Sequence, residues 1–303
     1  MSIKLKNENL ELTIETAGEK YTGSRFDWNG TVTQIKYKGI SVLSQEKKIF
    51  HRNPRIFGRG LHNEFGIKNV IGYDDIPVGE YFPKIGTGWL KKDDKPYFFF
   101  TQYKLDPLNF HAVKVSDTKA VFECDSGERN GYAYLYTKTI ELKGDTFTID
   151  YKIENKGSKP LATTEYVHNF LLPGNRTNGP HLELTLPWEY DQNNFSENVK
   201  TENLIRFQPN GEVTKIGFEK TPDVEFFMGG IFKSRKDTEN KKAFWILKDS
   251  KSKLTVKEED SFEPYNCDIW GHNKCISPEL FTWFEAKPGE TAVWNRTYSF
   301  SKD

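Results

Sequence analysis

The sequence predicts an all-β chain, folded as one large antiparallel sandwich or two small β domains, and three observations carry that prediction. Apolar residues recur at every second position, as at Leu182, Leu184 and Leu186 and again at Phe147, Ile149, Tyr151 and Ile153, which is the spacing that buries one face of a pleated strand. The run YLYTKTIELKGDTFTIDYKIEN, 134–155, reads as two such strands joined at Lys143-Gly144-Asp145, where glycine supplies the positive φ of a tight hairpin turn. Helical spacing is nearly absent; the best stretch, NFSENVKTENLIRF at 194–207, supports a turn or two, so nothing indicates βαβ units.

Further strands are expected at KLTVKEED (253–260) and AVWNRTYSF (292–300) near the C-terminus. No Pro/Gly/Ser-rich linker, low-complexity tract or internal repeat interrupts the 303 residues. A single domain over 1–303 is therefore the expectation.

Composition excludes several function classes. Lys plus Arg and Asp plus Glu number 43 each, so the surplus of cations that phosphate recognition requires is missing and no nucleic-acid partner is expected. Aromatic residues make up 15% of the chain, with 23 Phe, 14 Tyr and 7 Trp, which suits pleated surfaces and sugar-facing pockets. No apolar run reaches the length of a membrane helix, and MSIKLKNENLEL lacks a signal-peptide core, so a cytoplasmic protein without a membrane partner is expected. Cys124, Cys267 and Cys275 are three in number and without CxxC spacing, which argues against a disulfide framework or a structural zinc site. The four sequons at Asn29, Asn175, Asn194 and Asn295 carry no glycan message in a chain read as cytoplasmic.

Three segments, in order, resemble the aldose 1-epimerase (galactose mutarotase-like) superfamily. YKIENKGSKPLATTEYVHNF, Tyr151 to Phe170, has a strand ending in Asn, a turn with Lys-Pro, and a strand bearing the histidine that would be catalytic, His168. CISPELFTWFEAKPGETAVWNRTYSF, Cys275 to Phe300, looks like the C-terminal block with its acid beside a proline, which makes Glu279 the matching carboxylate. FGRGLHNEFGI, Phe57 to Ile67, lies where the family has a sugar-binding arginine, here Arg59. Two departures mark an outlying branch. The stretch GEYFPKIGTGWL has no second histidine, leaving Lys84 nearest its place, and the order is Pro278-Glu279 rather than Glu-Pro. The resemblance implies a large antiparallel β-supersandwich, a small-molecule sugar as partner, no cofactor and no metal.

The implied reaction interconverts α and β anomers: a base takes the proton of the C1 hydroxyl while an acid protonates the ring oxygen, the two flanking the sugar on opposite sides. Glu279 is assigned as base, its pKa raised among Phe281, Trp283 and Phe284, and His168 as acid. Arg59, with Asn63 and Glu64 nearby, would bind a ring hydroxyl, and Lys84 would donate to another or stabilise an oxyanion. Trp89, Trp270 and Phe262 are candidates for the aromatic wall under the sugar's C–H face. His62 and His272 are the reserves for the missing histidine. No GxSxG elbow or GxGxxG loop offers a different chemistry, since GTGWLKKD lacks the third glycine and the helix.

Three alternatives stay open. One is a carbohydrate-binding protein of the same fold without catalysis, which a wide separation of Glu279 and His168 would favour. Another is an epimerase of phosphorylated hexoses, suggested by Lys47, Lys48, Arg52, Arg55 and Arg59. The third is a β-sandwich glycosidase or lyase, which needs a second acid near Glu279, either Glu285 or Asp268. The chain is expected to be a monomer or a homodimer.

Overall fold

The computed structural model describes residues 1–47, 53–188, 205–209, 213–229 and 238–303. Among these, two large antiparallel sheets and one small sheet account for nearly all the regular structure. The nine-stranded first sheet runs, edge to edge, through Ile3–Lys6, Leu10–Glu15, Thr31–Tyr37, Leu61–Phe65, Leu161–Asn169, Cys275–Ala286, Asn266–His272 and Phe226–Met228, with Ile40–Ser41 beside Thr31–Tyr37. The ten-stranded second sheet has Leu254–Asp260 and Thr291–Lys302 at its centre. A three-stranded sheet, Tyr81–Lys84, Gly88–Lys91 and Leu105–Pro107, adjoins them.

The expected hairpin is present: Tyr132–Lys143 pairs with Thr146–Asn155, the turn residues are Gly144 and Asp145, and Gly144 takes φ 59°. Leu254–Asp260 and Thr291–Lys302 are the expected C-terminal strands and pair with each other. The helical turn expected at 194–207 differs: 205–209 is strand, and 194–204 lie outside the described residues. Side chains alternating along each strand bury one face of each sheet against the other. Aromatic rings fill that interior, Phe284 stacking on Trp294 at 5.2 Å and Trp294 on Tyr151 at 5.1 Å. The core runs from Leu5 to Phe300.

A polar chain also crosses this interior. Arg296 donates to Glu165 (2.7 Å), Glu258 (2.7 Å) and Asp260 (3.0 Å), and Lys138 donates to Asp27 (2.7 Å) and Asn63 (2.9 Å). Asn63 joins the two groups through Glu165 and Tyr151. Asn63 therefore faces the second sheet rather than a sugar, because Leu61, Asn63 and Phe65 share the inward parity of their strand. Cys124, Cys267 and Cys275 are buried thiols.

The turn at Gly86 ties the small sheet to this polar chain. Gly86 has φ +70°, and a Cβ there would lie 2.2 Å from Asp27 Oδ1. Gly86→Ala is expected to cost about 3 kcal/mol, combining a left-handed backbone with displacement of the Asp27–Lys138 pair. The check is a urea midpoint shift; a midpoint equal to wild type would refute the coupling.

Candidate active site

The outward parity of three adjacent strands in the first sheet lays the floor of a cavity of about 1010 Å³. Thr164, Tyr166 and His168 come from Leu161–Asn169; Glu279 and Phe281 come from Cys275–Ala286; Asn266, Asp268 and Trp270 come from Asn266–His272. Antiparallel register sets Asp268 directly opposite Glu279 and Trp270 opposite Ser277. Arg25, Phe99 and Phe100 stand in the wall, with Lys47, Phe57, Glu225 and the segment 67–69.

Glu279 and His168 meet at the floor: Nδ1 of His168 lies 3.3 Å from Oε1 of Glu279. Ser277 bridges them, its Oγ 3.0 Å from Glu279 Oε1 and 2.8 Å from His168 Nδ1. Burial, reinforced by the neighbouring Asp268 carboxylate, pushes the Glu279 carboxyl well above its ordinary range. Burial and then the charge of Arg25 hold the His168 imidazole well below its own. Both shifts favour the uncharged forms, a protonated carboxyl and an unprotonated imidazole. These directions run against the ionised base and protonated acid expected of Glu279 and His168, and the two groups stand side by side rather than on opposite sides of a ring. His168 is held in orientation by Phe170, stacked at 3.9 Å, and by the edge of Trp270 at 5.1 Å.

The other sequence candidates divide sharply. Trp270 lines the cavity. Arg59 does not: its guanidinium pairs with Glu15, in a separate surface depression with Thr13 and Lys20. Arg25, from the segment TGSRFDWNG, stands in the wall instead, donating from Nε to Glu64 (2.8 Å) and from Nη2 to Tyr166 (3.2 Å). Lys84 lies behind the wall, its Nζ donating to the Phe65 carbonyl (2.6 Å) and Tyr97 (2.9 Å), 3.8 Å from Glu64. Burial brings its pKa down to about 8. Trp89 is committed to the small sheet, donating to the Ser126 carbonyl at 2.8 Å, and Phe262 packs under Arg296 at 4.8 Å, so neither lines the cavity. Phe281 faces the cavity with Glu279, but Phe284 has the opposite parity and stacks in the core.

His62 pairs with His168 across the strands but is wholly buried, its Nδ1 accepting from the Arg59 amide at 3.0 Å. His272 contacts the Glu46 carbonyl, beside the cavity rather than in it. Of the five cations suggesting a phosphate pocket, Lys47 lines the cavity, paired with Glu225; Arg55 is exposed and Arg59 is elsewhere, while Lys48 and Arg52 lie outside the described residues. Glu285 is exposed at the far end of its strand. Among the described residues, no group of three or more His, Cys, Asp or Glu is placed to hold a metal ion. No helix among them is long and apolar enough to cross a membrane.

No protein-family model matches the chain. No curated protein matches it in sequence. Solved structures do match in fold. A putative aldose 1-epimerase from Escherichia coli K12 superposes with a TM-score of 0.59 at 13% identity, covering 100% of this chain and 99% of that one. Slr1438 from Synechocystis sp. PCC 6803 gives 0.59 at 12%, covering 100% and 96%. A galactose mutarotase-like protein from Clostridium acetobutylicum gives 0.56 at 16%, covering 100% and 95%. The chain thus has the galactose mutarotase-like fold, as its three motif segments imply.

Proposed function

We propose that the protein interconverts the anomers of a reducing sugar, with Glu279 and His168 moving the protons. The observation that carries this reading is the Glu279–Ser277–His168 chain on the floor of a large cavity. O1 and O5 of an aldose are bonded to the same carbon, so neighbouring groups on one side of the ring reach both.

The neutral resting state gives a balanced route. With Ser277 donating to Glu279 Oε1 and accepting from His168 Nδ1, the C1 hydroxyl passes its proton to His168 Nε2, the Nδ1 proton passes to Ser277, and the Ser277 proton passes to Glu279 Oε1. The other carboxyl oxygen of Glu279 gives its proton to the ring oxygen as the C1–O5 bond breaks. The carbonyl rotates and the same transfers run backward to close the ring on the other face. No charged intermediate is left in a buried site, where an uncompensated charge is costly.

The experiment is anomer exchange followed by NMR across a panel of aldoses. Acceleration by wild type, lost in Glu279→Gln, supports the proposal; sugar binding with no acceleration overturns it in favour of a binding protein. Ser277→Ala is expected to lower kcat about tenfold or more, since it interrupts the relay without removing either end group.

A second reading draws on Asp268, whose position opposite Glu279 brings a second carboxyl group into the cavity; hydrolysis of a glycoside uses two, one on each side of the scissile bond. Release of shorter sugars from glycosides added to the same NMR panel would favour it.

A further inference from the structure

We propose that the cavity takes a reducing oligosaccharide, its terminal reducing ring over Glu279 and His168 and the adjoining ring extending along the strands to an outer subsite formed by Phe99 and Phe100. This rests on the anomer-exchange reading for the inner ring and adds the class of substrate.

The cavity is too large for one ring. Its volume of about 1010 Å³ stands at the upper end of the range that holds drug-sized ligands, so a single pyranose would leave most of it to water. It is also long. The floor runs from His168 to Thr164 and from Trp270 to Asn266, four residue steps on each of two strands, or about 13 Å at the rise of an extended chain.

The wall offers aromatic faces for stacking. Phe98, Phe99 and Phe100 are consecutive, and Phe98 and Phe100 are 54% and 37% exposed. Phe99 and Phe100 contact each other at 4.4 Å, and both line the cavity. Behind them lies the buried Arg25 guanidinium, 4.5 Å from the Phe99 ring centre and 5.1 Å from that of Phe100. Glu64 and Tyr166 fix that guanidinium, so the aromatic ledge rests on a rigid support rather than on a loose loop. Lys68 and Asn69 add polar groups to the same cavity for ring hydroxyls.

The chemistry at C1 decides which way the ligand extends. Anomer exchange requires a free hemiacetal hydroxyl, so C1 of the inner ring cannot carry the second unit. The extension must leave through another hydroxyl, and the ring bound at the floor is then the reducing end. A phosphorylated sugar fits less well, because two of the three lining cations are already paired, Lys47 with Glu225 and Arg25 with Glu64.

The test compares reducing disaccharides and trisaccharides, each against its own monosaccharide, by NMR anomer exchange with wild type and by calorimetric binding to Glu279→Gln. At least one oligosaccharide is expected to show a kcat/KM and an affinity ten times or more those of its monosaccharide. Phe99→Ala and Phe100→Ala should bring that ratio toward one, and Phe100→Tyr, which keeps the ring, should restore it. Oligosaccharide binding without exchange would support the outer subsite while overturning the proposed reaction. Exchange of monosaccharides with no gain for any oligosaccharide would overturn the outer subsite alone, as would equal losses for both sugar classes in the Phe variants.

Discussion

Glu279→Gln should lower kcat for anomer exchange by about 10² or more with little change in KM, because the amide keeps the size of the carboxyl but cannot accept one proton while releasing another. His168→Asn should lose as much. The double variant should be scarcely slower than the worse single one, since the two groups act in one coupled transfer. The pH profile supplies a second check. In the proposed route the active pair holds one proton, so kcat/KM should be flat-topped. Activity falls on the acid side where His168 gains a proton, at a pH well below its ordinary value. It falls on the alkaline side where Glu279 loses one, well above the ordinary carboxylate range. Asp268→Asn removes a charge that raises the Glu279 pKa, and should therefore move the alkaline limb to lower pH. A profile unmoved by that change would sink the electrostatic account.

Stability follows the same shifts with a definite sign. The folded pKa of Glu279 lies above its unfolded value, so its contribution is fully present at acid pH and is lost as pH rises from the carboxylate range toward the folded pKa. Glu279→Gln should accordingly gain stability over wild type at neutral pH while losing activity, a pattern that a damaged fold would not produce. Thermal unfolding at pH 4 and pH 8 measures it: the advantage of the variant should be larger at pH 8.

Strand parity explains what the sequence disclosed and what it hid. Glu279 and His168 could be paired from the sequence because each sits in a motif-bearing strand, whereas Trp270 was one of three aromatic candidates and neither Trp89 nor Phe262 joins it in the cavity. The same parity, applied to LATTEYVHN and SPELF, would have brought in Tyr166 and Ser277, which share faces with His168 and Glu279. It would also have turned Asn63 and Phe284 inward. Arg25 offered no such signal. It lies outside any regular element, between Leu10–Glu15 and Thr31–Tyr37, and reaches the cavity through partners 39 and 141 positions away. Arg59 carried the motif but points to Glu15 on the strand Leu10–Glu15. Lys84, read as a sugar ligand, faces Glu64, Phe65 and Tyr97 for the same reason: tertiary contacts chose its direction, and local spacing carries no record of them.

The largest effect on stability is expected at Arg296, which never touches the cavity. Its guanidinium is wholly buried among Glu165, Glu258 and Asp260, and it also donates to the Leu280 carbonyl at 3.0 Å. Arg296→Ala would strand these carboxyl groups between the sheets, a loss of about 3 to 5 kcal/mol, a large fraction of the about 5 to 15 kcal/mol that ordinary domains have. Asp260→Asn should behave quite differently. Burial and the adjacent Glu258 push the Asp260 carboxyl well above its ordinary range, which favours the protonated acid, and an amide of the same shape is expected to replace it at a cost of about 1 kcal/mol or less. Because the contribution of Asp260 is lost as pH rises toward its folded pKa, the Asn variant should gain on wild type as pH increases. Urea unfolding of both variants at pH 5 and pH 8 tests the pair of expectations. Equal losses for Arg296→Ala and Asp260→Asn at pH 8 would mean that Asp260 is ionised in the folded protein, and that Arg296 balances three buried negative charges rather than two.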